Sequence, residues 1–304
     1  MGFYVICTSA RTGGNLLCSS LGQTRMLGKP GSYLCAYPLH EVLNKLNRSE
    51  FEEYLRNVPE RLHQEQNNAT SRSNDLGWLY ETNLLEDLEC PIERLRFFYD
   101  HLKAPSMREY LINIRHSVLG GENWGIKVLA SDSDGFGFDF FIRKLKEGQT
   151  NGNSKCNGQL FQEMGDVKYI WLTRRNKVRQ GLSRWKAMHT KKWHQKQKIV
   201  VHDKADKELP SIEELNKYVV QLTLDDAYWE EFFTKNRISP LTVVYEDFVS
   251  NPDGTIKNAL NYLGIEPCNR SYFNGFSEYK MANGNSNGFL NNYYSNSSIW
   301  QGLI

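Results

Sequence analysis

The chain has 304 residues, 40% hydrophobic and 12% aromatic, enough to bury a full core as one large domain or two small ones, which excludes a disordered or fibrous protein. Lys and Arg number 37 against 35 Asp and Glu, and a net charge of +2 excludes a global preference for nucleic acid or an anionic membrane, so any basic site must be local. No apolar stretch approaches the roughly 20 residues that cross a bilayer. The opening run Phe3 to Cys7 also lacks the basic flank of a signal peptide, and together these predict a soluble, cytoplasmic chain without membrane insertion. Ile6 occupies the position where a myristoylation signal needs Ser or Thr. Cys7, Cys18, Cys35, Cys90, Cys156 and Cys268 show no CxxC pair and no zinc-ligand spacing, so they read as small core residues.

In chain order, Phe3 to Cys7 is a continuous apolar run closed by Thr8-Ser9 and Gly13-Gly14, the pattern of a strand buried on both faces before a tight loop. Leu16, Leu17, Ser20 and Leu21 then recur at helical spacing, with Gly22 as a stop. Leu43 to Leu62 and Leu76 to Leu102 read as helical surfaces that would allow a homodimer. Short β-rich runs return at Trp124 to Ala130, Val167 to Thr173 and Leu241 to Tyr245, each ahead of a candidate helix. Ser211 and Glu214 form a capping-box pattern before a periodic segment holding Leu215, Val219, Leu222, Trp229 and Phe233. Strands separated by long helical stretches predict an α/β fold, a central parallel sheet with helices on both faces.

Glu147 to Gly158 is rich in Gly, Asn and Ser and reads as an exposed loop. Residues 1–270 are expected to form the α/β domain. Residues 271–304 form an Asn-, Gly- and aromatic-rich tail that Tyr272, Phe273, Phe276, Phe289, Tyr293, Tyr294 and Trp300 would pack against it.

Two segments carry chemistry. Thr8-Ser9-Ala10-Arg11-Thr12-Gly13-Gly14-Asn15 lies between the first strand and its helix, where backbone N–H groups and the helix dipole face an anion and Arg11 and Thr12 add a cation and a hydroxyl. A βα turn without a ligand explains the same residues. The Gly-Lys-Ser/Thr ending of a nucleoside triphosphate loop is absent. From 167 to 201 there is no Asp or Glu but eleven Lys and Arg, in a chain whose net charge is only +2. Arg174 and Arg175 follow the strand ending at Thr173, and Ser183 sits two turns into the next helix, one turn after Arg179. The carboxyl end of a strand is where open α/β sheets bind ligands, which favours Arg175 and Ser183 as ligand contacts. The lysines after Trp185 read as a solvated basic face.

These segments together resemble the nucleotide-binding signatures of sulfotransferases that use 3′-phosphoadenosine 5′-phosphosulfate (PAPS), in particular the bacterial trehalose 2-sulfotransferase-like family. The first is similar to the loop that grips the donor's 5′-phosphosulfate. The second is similar to the 3′-phosphate motif, an arginine followed eight residues later by serine, here Arg175 and Ser183. Trp171 to Ala187 and Leu241 to Phe248 are close to the family's own versions. The resemblance implies a P-loop-like sulfotransferase fold, PAPS as co-substrate, no metal, and transfer of a sulfuryl group to a hydroxyl of a carbohydrate or glycolipid rather than to nucleic acid. It implies that Arg11, Thr12, Gly13, Gly14, Asn15 and Leu16 hold the 5′ end and that Arg175 and Ser183 hold the 3′-phosphate.

The acceptor's proton needs a base. Where the family carries Gly-x-Pro-x-Glu, this chain has Gly28-Lys29-Pro30-Gly31-Ser32, and Ser32 cannot take a proton unaided. His40 and Glu41 follow closely, and Asp132 and Asp134 lie beyond the second strand; each also reads as a surface or capping residue. Lys127, inside an apolar strand, is either near the reacting groups, as in similar sulfotransferases, or a lysine that snorkels to solvent. Arg11, His40, Glu41 and Lys127 are therefore the catalytic candidates. Two other classes fit part of the pattern: a small-molecule kinase, which would need the missing loop lysine, and a catalytically silent module that binds a nucleotide or polyanion. Trp78, Tyr80, Trp185, Trp193 and Trp229 are either sugar-stacking or core residues.

Overall fold

The structure is a computed structural model and describes residues 2–36, 43–67, 91–104, 107–116, 122–130, 167–190, 208–268, 271–272 and 286–296. Four strands, β1 (Gly2–Thr8), β2 (Asn123–Leu129), β3 (Val167–Thr173) and β4 (Leu241–Val244), form one parallel sheet in the order β2-β1-β3-β4. In the β3–β4 ladder Ile170 faces Leu241 and Thr173 faces Val244. Phe3 to Thr8 are all buried, which explains why β1 is apolar at every position instead of every second one. The fourth strand ends one residue before the expected Tyr245, because Tyr245 opens a helix.

The chain forms two compact units, the first made of residues 1–6 and 21–168 and the second of 7–20 and 169–304. The first unit holds β2, a 3-10 turn at Tyr33–Ala36, and three helices, α2 (Arg48–Asn67), α3 (Pro91–Phe97, continued by a π turn at Phe98–Leu102) and α4 (Met107–Ile114). Tyr110 on α4 donates to the Tyr33 carbonyl at 2.9 Å, and Phe51 on α2 stacks on Tyr99 with centroids 4.0 Å apart.

Gly125 in β2 gives room to Tyr4, whose hydroxyl reaches the Leu27 carbonyl at 2.9 Å; a Cβ on residue 125 would lie 2.3 Å from that ring. Gly125→Ala is expected to destabilise the protein by ~1–3 kcal/mol through overpacking, read from the midpoint of a urea transition. An unchanged midpoint would mean that the Tyr4 ring yields.

The second unit carries α1 (Gly14–Gln23) up to Ser20, then α5 (Lys177–Thr190), α6 (Ile212–Asn236), α7 (Tyr245–Ser250), α8 (Pro252–Tyr262) and α9 (Ser286–Asn296). The capping box at the start of α6 is formed as expected: the Glu214 amide donates to the Ser211 hydroxyl at 3.1 Å and the Ser211 amide to the Glu214 carboxylate at 3.0 Å. The core of this unit joins Val178 and Leu182 of α5, Leu215 and Val219 of α6, and Leu290 and Tyr293 of α9. Gly181 lets α5 and α6 approach, since a Cβ there would meet Leu215 and Val219 at 3.2 Å.

Of the tail aromatics, Tyr272 and Tyr293 are buried and Phe289 is half-buried, while Tyr294 is exposed; Phe273, Phe276 and Trp300 lie outside the described residues. Trp185 and Trp229 are core residues and so have no face for a sugar, whereas Trp78, Tyr80 and Trp193 lie outside the described residues. Among the described residues no helix is long and apolar enough to cross a membrane.

Candidate active site

β1 and β3 are neighbours, with β2 and β4 on their outer sides, so the chain leaves this pair in opposite directions and the carboxyl ends of β1 and β3 mark the switch point where such sheets take ligands. Both following loops belong to the second unit. At the end of β1 the Thr8 hydroxyl donates to the Leu172 carbonyl of β3 at 3.0 Å and lies 2.5 Å from the Thr12 hydroxyl, which itself reaches the Ser9 carbonyl.

The loop turns through left-handed backbone twice, at Arg11 (φ 63°) and Gly13 (φ 93°). Alternation of this kind turns successive N–H groups to one side and makes an anion cradle. Glycine is required at residue 13 twice over, because a Cβ would also sit 2.6 Å from the Tyr245 ring. The Gly13 carbonyl then accepts from the Leu17 amide at 3.0 Å and opens α1.

Arg11 and Ser183 meet: the guanidinium Nε donates to the Ser183 hydroxyl at 3.0 Å. Arg174 closes over the same loop, its Nη1 donating to the Arg11 carbonyl at 3.2 Å while its guanidinium rests 4.5 Å above the Tyr245 ring and 3.8 Å from the Glu246 carboxylate. Burial, and then the neighbouring Arg174 charge, lower the Arg11 pKa to about 10. Burial likewise lowers that of Arg174, with Tyr245 and Glu246 opposing. Two partly buried guanidinium groups whose charges oppose each other are costly, a cost that an anion bound near Arg11 would relieve.

Arg175 is placed differently. Its side chain is exposed and forms a two-point pair with Asp247, with distances of 2.8 and 2.5 Å, and this pairing raises its pKa. Its amide and that of Asn176 donate to the Glu246 carboxylate at 3.0 and 3.2 Å. Burial pushes the Glu246 carboxyl up, but those amides and Arg174 prevail and hold it below its usual value. Thus the structure brings Arg11, Thr12, Gly13 and Ser183 together, with Gly14, Asn15 and Leu16 continuing into α1, while the Arg175 guanidinium is taken by Asp247.

Lys127 sits inside β2 and is buried, its amide donating to the Gly31 carbonyl at 2.8 Å. Gly31 bridges to Ile126, and Ser32 is buried. His40, Glu41, Asp132 and Asp134 lie outside the described residues.

The family model for Stf0 sulphotransferase matches residues 122–296. The chain belongs to the Stf0 sulphotransferase family. Arg175, Ser183 and Lys127 fall inside the matched range, whereas the loop from Thr8 to Leu16 precedes it. Among solved structures the chain is similar to the sulfotransferase domain of the olefin synthase of Synechococcus PCC 7002, at 16% identity over 96% of this chain and 82% of that one, with a TM-score of 0.41. It is also similar to a sulfotransferase from Alicyclobacillus acidocaldarius, at 10% identity over 97% and 92% of the two chains, with a TM-score of 0.41. No curated protein matches it.

Four residues of this candidate site carry no sign in the sequence that marks them as site residues: Arg174, Gln180, Asp226 and Tyr245. Gln180 is fully buried and donates to the Ala10 carbonyl at 2.7 Å and to the Ser9 hydroxyl at 3.0 Å. Asp226 accepts from the Ser9 hydroxyl at 3.1 Å, from Lys177 Nζ at 2.5 Å and from the Thr173 hydroxyl. Lys177 is therefore spent inside the protein and Arg184 on Asp225 at 3.6 Å, so these two of the segment's eleven cations are not offered to a ligand.

Proposed function

We propose that the protein transfers the sulfuryl group of PAPS to a hydroxyl of a carbohydrate or glycolipid by in-line displacement. What supports this reading is the left-handed loop at the β1–β3 switch point, with half-buried Arg11 joined to Ser183 and backed by Arg174. The acceptor oxygen forms a bond to sulfur as the bond from sulfur to the 5′-phosphate oxygen breaks, and the electron pair leaves on adenosine 3′,5′-bisphosphate.

Arg11 and the amides of Thr12 to Leu16 would hold the 5′-phosphate and the charge that grows on it. Ser183 and Arg175 would hold the 3′-phosphate. For this Arg175 exchanges Asp247 for phosphate, a small step because a solvent-exposed pair of this kind contributes little. The acceptor's proton goes to a carboxylate or imidazole, with His40 and Glu41 as the candidates, and Lys127 is the candidate cation for the reacting group. No step in this scheme requires a metal.

Calorimetric titration tests the reading. The parent chain should bind adenosine 3′,5′-bisphosphate in preference to ATP and single-stranded RNA, and Arg175→Ala should weaken the bisphosphate roughly tenfold or more, as expected for a lost charge-assisted pair. Preference for ATP would point to a kinase, and salt-sensitive preference for RNA to a polyanion-binding module.

A further inference from the structure

A closed ring of buried polar groups lies behind the loop, and its polarity can be assigned from the ends inward. Lys177 can only donate and the Asp226 carboxylate can only accept. Because Asp226 Oδ1 accepts from the Ser9 hydroxyl, that hydroxyl is free to accept from Gln180 Nε2; the amide oxygen of Gln180 in turn accepts from Lys177 Nζ at 3.3 Å. The side-chain amide of Gln180 is thereby fixed in one orientation, with its second N–H on the Ala10 carbonyl at 2.7 Å.

The consequence lies on the far side of the peptide plane. In a trans peptide the C=O and N–H point in opposite directions, and no cis peptide occurs among the described residues. Holding the Ala10 carbonyl toward α5 therefore turns the Arg11 amide away from α5. Arg174, which holds the Arg11 carbonyl, does the same for the Thr12 amide. The left-handed Arg11 lies between these two fixed peptides, a conformation that is unfavourable for a residue with a Cβ and persists where its surroundings dictate it.

A fully satisfied buried network of this kind specifies a geometry more than it adds stability, since apolar groups of the same shape could fill the space.

We propose that Gln180 is a positioning residue for the anion loop: through the Ala10 carbonyl it fixes the peptide that leads into left-handed Arg11, and with it the course of the loop that would hold the donor's 5′-phosphate, without touching the substrate itself. This rests on the sulfuryl-donor reading above. The substitution that isolates it is Gln180→Glu, which keeps the shape and the Lys177 partner but offers no proton to Ala10 and sets a carboxylate against its carbonyl. Gln180→Met, similar in length and uncharged, controls for the added charge.

Calorimetry should show both variants weakening adenosine 3′,5′-bisphosphate by roughly tenfold to a hundredfold, the range expected when a buried group loses its partner. Adenosine 3′-monophosphate, which lacks the group this loop would hold, should bind all three proteins equally. Parental bisphosphate affinity in either variant overturns the proposal. Equal loss of both nucleotides also overturns it, because it would show a role in the fold at large. A parent chain that binds neither nucleotide overturns the donor reading and this proposal with it, a result distinct from selective retention.

Discussion

Arg11→Ala is expected to lower kcat for sulfuryl transfer by roughly a hundredfold to a thousandfold, the effect of removing one preorganised group that meets charge developing in the transition state. The protein should remain folded. Arg11 is half-buried beside Arg174, and burial first and that charge second lower its pKa to about 10. Between about pH 10 and the ordinary arginine range the unfolded chain holds a proton that the folded chain has released, so this group's contribution to stability rises with pH across that window. At neutral pH the charged side chain therefore subtracts from stability.

Removing it should leave the melting temperature of the ligand-free protein at or above the parental value. The rise in Tm on adding adenosine 3′,5′-bisphosphate should shrink, because stabilisation by a ligand follows its affinity. Arg11→Lys keeps a charge but loses the Nε–H bond to Ser183, and should fall between parent and alanine. Parental kcat in Arg11→Ala would place the leaving group elsewhere, whereas a fallen Tm would show that Arg11 contributes more through its bonds than it subtracts by its charge.

Which parts of this site were legible in the sequence follows from the range of the forces involved. The strands were, because an apolar run such as Phe3 to Cys7 is explained by its own burial, and Val167 to Thr173 has the same bounds in sequence and structure. The glycine loop and the helix carrying Ser183 were legible for the same local reason. The choice between two adjacent arginines was not open to local argument. Arg174 turns inward to Arg11 and Tyr245 because Glu246, arriving from another strand end, binds the amides of Arg175 and Asn176. That preference depends on tertiary contact.

Asp226 did leave a trace. Leu215, Val219, Leu222, Trp229 and Phe233 mark the buried stripe of α6, and residue 226 falls on it, four after Leu222 and three before Trp229. A carboxylate on an apolar stripe has to meet a buried partner, and here it meets Ser9, Thr173 and Lys177. Gln180 left no comparable sign, since a glutamine on a cationic helix looks like any solvated residue.

The same stripe carries the substitution with the largest expected cost to stability. Trp229 is fully buried, stacks on Phe233 with centroids 6.0 Å apart at 20°, meets Phe232 edge-on at 5.8 Å, and donates its indole N–H to the Thr8 carbonyl at 2.9 Å. Trp229→Ala removes the ring and the bond together and should cost ~3–5 kcal/mol, a large part of the roughly 5–15 kcal/mol that holds a typical domain folded. Trp229→Phe keeps most of the packing but takes the donor from Thr8, and should cost ~1–3 kcal/mol. Urea transitions of the three proteins should therefore rank parent, phenylalanine, alanine. Coincident parent and phenylalanine midpoints would show that the indole N–H adds nothing to stability. Thr8 is also the residue from which the anion loop departs, bonded to Leu172 and Thr12. A Trp229→Phe protein with the parental midpoint but weaker bisphosphate binding would thus assign the indole to setting the loop's origin, the same function that Gln180 serves two residues further on.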